Sequence, residues 1–96
     1  MNRKEIILFL RELKNTTQDK YHIKSIGLFG SMARNTKDEP GDIDIVVELE
    51  YPDLFILADI KHDIEKKFKK HVDIVRKREK MNYFLKQRIE REAIFV

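Results

Sequence analysis

The stretch Asp42-Ile43-Asp44-Ile45-Val46-Val47-Glu48-Leu49 constrains the fold of this chain more than any other segment. Val and Ile are stiff about their first side-chain torsion and fit a pleated surface better than a helix, so the run predicts a central strand. Thr36 to Gly41, ending in Pro-Gly, reads as the loop before it, and Pro52-Asp53 follows shortly after, so the strand is short. Alternation sends Ile43, Ile45 and Val47 to one face, ready to pack on a core, and Asp42 and Asp44 to the other. Such a strand needs sheet partners and at least one covering layer.

The rest of the chain offers them. Ile6, Ile7, Phe9, Leu10 and Leu13 recur at mostly helical spacing over residues 3–14, with Asn2 and Glu5 arranged as a capping box, and this helix stops near Asn15-Thr16-Thr17. Ile23 to Phe29 is β-branched and aromatic and ends at Gly30-Ser31, a strand running into a turn or short helix. Asp53 can cap a helix whose apolar positions are Leu57, Ile60, Ile64 and Phe68. His71 to Val75 reads as a short third strand, and Met81, Leu85 and Ile89 mark a last helix. Ala93 to Val96 reads as a closing strand or a docked tail. Phe9, Phe29, Phe55, Phe68 and Phe84 are expected in the core. The order describes an α/β or α+β fold: one small domain over residues 1–96, with a mixed sheet and flanking helices.

Composition narrows the class. A 96-residue chain buries about 65% of the surface it would expose unfolded, which gives room for one core and leaves any larger binding surface to a partner. The absence of cysteine excludes disulfide frameworks and thiolate metal sites and suits a reducing compartment. Neither a signal peptide nor a membrane anchor is visible, so a cytoplasmic location is expected. The net charge of +3 hides an asymmetry: residues 38–53 carry seven acids and no Lys or Arg, whereas residues 61–91 hold twelve Lys and Arg against five acids. A basic excess of this kind suits nucleic acid or a phosphorylated ligand, although solvated helix faces produce charge runs too.

The chemistry-bearing candidates lie on predicted strands and at the turn that follows one of them. Asp42 and Asp44 share a strand face, and two like charges that close call for a cation; oxygen ligands of this type suit hard divalent ions, Mg²⁺ above all. The plainer alternative is a polar strand edge. Asp73, between Val72 and Ile74, is costly to bury unpaired and could reach the same metal from a neighbouring strand or pair with Arg76, Lys77 or Arg78. Gly30-Ser31, between a strand and a short helix, could face an anion, though Gly-Ser is also ordinary turn chemistry. Neither the P-loop pattern nor the dinucleotide fingerprint is present. His22, His62 and His71 lie in different elements without metal-ligand spacing and read as surface or partly packed residues. Tyr21, Tyr51 and Tyr83 form no stacking motif.

Together these parts form a combination much rarer than any of them: a strand, a Gly-Ser turn, a ten-residue gap, D-x-D on a strand, a helix, then Asp on a third strand. Leu28-Phe29-Gly30-Ser31-Met32-Ala33-Arg34, Gly41-Asp42-Ile43-Asp44-Ile45-Val46-Val47 and Val72-Asp73-Ile74-Val75 resemble the nucleotidyltransferase superfamily of DNA polymerase β type, in particular its minimal members. Asn35 departs from the glycine that many members carry after the arginine. The resemblance implies a catalytic site in which Asp42 and Asp44 hold Mg²⁺ ions bridging a nucleoside triphosphate, while Asp73 helps bind a second ion and activates the attacking hydroxyl. It further implies that Gly30 and Ser31 cradle the β- and γ-phosphates, with Arg34 as a triphosphate contact. The implied reaction moves AMP from ATP to a hydroxyl and releases pyrophosphate. Stand-alone relatives typically pair with a helical HEPN-type ribonuclease toxin and neutralise it as antitoxins by adenylylating a tyrosine, so such a partner, in a hetero- or homo-oligomer, is the expectation here. Two other readings remain open: a module that neutralises the toxin by binding alone, and a nucleic-acid-binding domain using residues 61–91, with steeply salt-dependent affinity.

Overall fold

In the computed structural model, which describes residues 2–34 and 42–96, four strands form one sheet in the order β3-β2-β1-β4. The elements are α1 (Arg3–Thr16), α2 (Gln18–Tyr21), β1 (Ile23–Phe29), α3 (Ser31–Arg34), β2 (Ile43–Leu49), α4 (Leu54–Phe68), β3 (Val72–Arg76), α5 (Tyr83–Glu92) and β4 (Ile94–Phe95). The run read as a central strand is β2, antiparallel to β1 on one side and parallel to β3 on the other. A parallel neighbour needs a crossover, which α4 provides. The sheet is therefore mixed, as expected. The Thr36–Gly41 loop and the Asn35 departure lie outside the described residues.

The alternation in β2 decides which helices go where. Ile43, Ile45 and Val47 face one side with Ile26, Leu28 and Val72, and there α1 covers them with Ile6, Leu10 and Leu13 and α4 with Leu57, Ile60 and Ile64. Val46 and Phe29 face the opposite side and are covered by Ile89 of α5, with Val75, Met81 and Leu85 around them. Asp44 and Asp73 share parity with Val46 and Val75, so they stand on the α5 side at the end of the sheet where β2 and β3 begin.

Caps fix the helix ends. The Asn2 side chain accepts from the Glu5 amide at 2.9 Å, as its capping position predicts, and Asp53 accepts from the amides of Phe55 at 2.8 Å and Ile56 at 3.4 Å. Asn82 does the same for Leu85 at 3.0 Å, so α5 begins after Met81. The C-terminal residues pair with β1, and the Val96 amide donates to the Ile26 carbonyl at 3.0 Å, which makes the tail a short edge strand.

Three readings are corrected. The single turn α2 went unread because four residues show no period; it is anchored by buried Tyr21, whose hydroxyl donates to Asp63 at 2.8 Å. The third strand starts at Val72, not His71. Phe55 and Phe84 lie outside the core, 83% and 75% exposed, because at 3.6 residues per turn they point away from the Leu57-Ile60-Ile64 stripe and from Ile89. Phe29 is buried, and Phe9 and Phe68 are half-buried and meet edge to face at 5.5 Å.

Candidate active site

Register assembles the site. Asp44 of β2 is the parallel partner of Asp73 of β3, and Ile43 is the partner of Val72. One residue upstream, the Ile43 amide donates to the His71 carbonyl at 3.0 Å, which holds the start of β3 beside the start of β2. Asp42, Asp44, His71 and Asp73 thus form a two-by-two array across adjacent strands, all four side chains on one face. His71 Nδ1 lies 3.3 Å from Asp42 Oδ2 and 3.6 Å from Asp73 Oδ1. One donor atom from each of Asp42, His71 and Asp73 falls within 4.8 Å of the others.

The other wall comes from β1. Phe29 pairs with Asp44, so the next residue, Gly30, meets the Asp44 carboxylate as the chain turns into α3. Gly30 has φ +76, a conformation that favours glycine, and a Cβ at this position would collide with Asp44 Oδ2 and come within 2.9 Å of its Cγ. Ser31 opens α3, which is held down by buried Met32 and Ala33 and by Arg3, whose guanidinium donates to the Ala33 carbonyl at 3.1 Å. Half-buried Asp44 is held above the ordinary carboxylate range, first by desolvation and then by the Asp73 charge. Arg88 and Arg34 pull it down, while Asp42 adds to the rise. A carboxylate so placed is energetically incomplete without a cation, and a bound divalent ion would reverse the balance.

Residues 10–96 match the nucleotidyltransferase domain family. The chain is also 39% identical over 95 residues to a Methanocaldococcus jannaschii protein provisionally named a protein adenylyltransferase, a match covering 96% of this chain and 95% of that one. The chain belongs to the nucleotidyltransferase family. A solved structure provisionally named a minimal nucleotidyltransferase has a TM-score of 0.75 at 28% identity, covering 98% of this chain and 95% of the other. A chain from the complex of a tri-AMPylated HEPN toxin of Shewanella oneidensis with an MNT antitoxin shares the fold, with a TM-score of 0.69 at 19% identity, covering 97% of this chain and 70% of that one.

In this nucleotidyltransferase the expected residues lie next to one another: Asp42 and Asp73 share the cluster with His71, Asp44 is in register with Asp73, and Gly30 meets the Asp44 carboxylate with Ser31 directly after it. Arg34 is engaged elsewhere: its Nη1 donates to Glu92 Oε1 of α5 at 3.1 Å. Sequence reasoning missed three residues here. Glu92, only 13% exposed, also lies 3.9 Å from Arg88 Nε through its other oxygen, which has no hydrogen-bond partner among the described residues. The Arg88 guanidinium sits 5.6 Å from the centre of the Phe29 ring, so Arg88 of α5 and Arg34 of α3 flank the half-buried Glu92 carboxylate. The i, i+4 spacing of Arg88 and Glu92 was a visible signal. His71, expected at the surface or partly packed, belongs to the acid array; its period-two relation to Asp73 was the signal for it. His22 packs near Tyr51, and His62 is exposed on α4.

A groove of about 260 Å³ between α1 and α4, lined by Leu8, Phe9 and Phe68 among others, opens on the far side of the sheet from the acids. The basic residues of 61–91 are divided in the same way, some on α4 and others on α5, on opposite sides of the sheet.

No helix among the described residues is long and apolar enough to cross a membrane.

Proposed function

We propose that the protein transfers AMP from ATP to a tyrosine hydroxyl of a HEPN-type toxin, acting in the cytoplasm as that toxin's antitoxin. The observation that carries this reading is the junction of three strands: Asp44 in register with Asp73, with Gly30 against the Asp44 carboxylate. Such a junction sets a carboxylate cluster beside the Gly30-Ser31 turn, the two halves of a metal–triphosphate site. The AMPylated state of the toxin in the Shewanella complex supports AMP as the transferred group and a HEPN toxin as acceptor.

The donor set fits a hard divalent ion, since Asp42 and Asp73 offer carboxylate oxygens within 4.8 Å of each other and Asp44, in register with Asp73, carries a charge penalty that a cation removes. Asp42 and Asp44 would hold Mg²⁺, with Asp73 contributing to a second ion; bound there, the ions supply charge neutralisation at the α-phosphate. The remaining work belongs to the chain. Asp73, exposed at the edge of the array, takes the proton of the attacking hydroxyl. The hydroxyl oxygen forms its bond to the α-phosphorus as the bond to the bridging oxygen breaks, and pyrophosphate departs with the electron pair. Gly30 and Ser31 receive the β- and γ-phosphates, and Arg34 contacts the triphosphate after exchanging Glu92 for phosphate oxygens. The C-terminal strand β4 pairs with β1 and α1 packs on the same sheet, so residues 1–96 act as one catalytic domain whose acceptor arrives on another chain.

Incubation with a HEPN-type partner, ATP and Mg²⁺ should yield an AMP adduct on a partner tyrosine, read by mass spectrometry, and Asp42→Ala with Asp44→Ala should abolish it. If the wild type neutralises the partner without an adduct and the double variant neutralises it equally well, the enzymatic reading is lost in favour of neutralisation by binding.

A further inference from the structure

We infer that His71 is a nitrogen ligand of the Asp42–Asp73 cation site and shifts the preference of that site from Mg²⁺ toward Mn²⁺. The inference rests on the cation-dependent reading above and adds to it a residue that carboxylate chemistry alone does not require.

The backbone places His71 there. Residues 71 and 73 share a strand face by the period of two, and the Ile43-to-His71 hydrogen bond at 3.0 Å aligns the start of β3 with Asp42. The side-chain distances can be compared with what one ion demands. Ligands about 2.1–2.2 Å from an octahedral ion lie about 3 Å apart when adjacent and about 4.3 Å apart when opposite. Nδ1 stands 3.3 Å from Asp42 Oδ2 and 3.6 Å from Asp73 Oδ1, close to the adjacent spacing, and the whole set lies within 4.8 Å. Closing the remaining gap needs movements of a few tenths of an ångström from side chains that are all exposed and free to make them.

The chemistry follows from the ligand. Mg²⁺ prefers oxygen and gives up water reluctantly, so an imidazole nitrogen adds little to its binding. Mn²⁺ shares the preference for carboxylates but, as a transition ion, tolerates an imidazole nitrogen better than Mg²⁺ does, so one nitrogen in an otherwise oxygen site separates the two ions. Glu65 does not compete for this position, since its carboxylate accepts from the Val72 amide at 2.9 Å.

The test is a titration of the nucleotide-free full chain with MnCl₂, followed through loss of the free-ion electron paramagnetic resonance signal, with MgCl₂ as competitor. His71→Ala should weaken Mn²⁺ binding by about tenfold while changing Mg²⁺ binding less than about threefold. Spin-echo spectra of the bound Mn²⁺ should show coupling to an imidazole nitrogen in the wild type, lost in His71→Ala although His22 and His62 remain. The wild-type spectrum decides the matter even if the variant folds poorly. An unchanged Mn²⁺ to Mg²⁺ affinity ratio, or bound Mn²⁺ without nitrogen coupling, overturns the inference. If the AMP adduct still forms with Mg²⁺ in that case, only the role of His71 falls. If neither ion binds and no adduct forms, the parent reading falls with it.

Discussion

Replacing Gly30 by alanine should separate catalysis from folding in this nucleotidyltransferase. Two costs arise at once. The backbone at φ +76 is one that alanine adopts at a penalty of about 1–2 kcal/mol. The new methyl group also collides with the Asp44 carboxylate, and that contact cannot be relaxed by the methyl, which has no rotamer to change. Either the Gly30 turn opens or Asp44 swings away, and a displacement of about 1 Å in a reacting constellation costs about a hundredfold in rate. The expected result is a loss of adenylyl transfer of about a hundredfold or more, with a melting temperature lowered by about 4–16 °C, which is what about 1–2 kcal/mol produces in a domain of this size. Gly27→Ala is the control. Its Cβ would meet the Ile94 carbonyl and the Phe95 ring at 2.9 Å, on the β4 edge and outside the acid array, so it should destabilise to a similar extent while the folded fraction keeps its activity. Single-turnover transfer rates, normalised to folded protein by circular dichroism, make the comparison. If Gly30→Ala retains transfer within about threefold of wild type, the close approach of Gly30 to Asp44 is not what organises the site.

Other perturbations probe its parts. Asp44 has a folded-state pKa raised above 3.8, its ordinary value, so metal-free protein loses stability as pH rises through the folded value; Asp44→Asn should therefore melt higher than wild type at neutral pH without divalent ions, with the difference vanishing below about pH 4 in thermal melts. Adding Mg²⁺ should raise the melting temperature of wild type more than that of Asp44→Asn, and equal responses would count against Asp44 as a ligand. Arg34→Ala should raise the KM for ATP about tenfold and also lower the melting temperature, because it leaves Glu92, only 13% exposed, without its hydrogen-bond donor; an unchanged KM removes Arg34 from the triphosphate contacts. Asp53→Ala should cost about 1 kcal/mol in urea unfolding through loss of the α4 cap and leave transfer by the folded fraction intact.

The legible parts of the fold were those encoded locally. The β2 run, the α1 and α4 stripes and the Asn2 and Asp53 caps each announce themselves within about ten residues, and each formed where its pattern placed it. Single turns such as α2 are too short for a period to emerge, and Tyr21 became a core residue only because Asp63 of α4 receives its hydroxyl. Phe55 and Phe84 illustrate the converse error. Their hydrophobicity suggested burial, whereas the phase of each helix, fixed by Leu57 and by Ile89, turned them to solvent.

The same distinction governs the site. Gly30, Asp42, Asp44 and Asp73 could be picked out because residue type and spacing carry their chemistry in one dimension. His71, Arg88 and Glu92 acquire meaning only from pairings between distant segments. A parallel register with a one-residue slip would put Asp42 opposite Val72 and send His71 out of reach, because alternate residues face opposite sides. That register is held by the Ile43-to-His71 and Val72-to-Glu65 hydrogen bonds as well as by burial of Ile43, Ile45 and Val72, so the core sets the positions of the acids. Arg88 and Glu92 depend on α5 returning across the opposite face, where Ile89 packs on Phe29 and Val46. The Asp44 charge is therefore offset in part by Arg88, a residue that no local window contains, and substitutions at Ile89 should disturb its ionisation through Arg88 without touching the acids themselves.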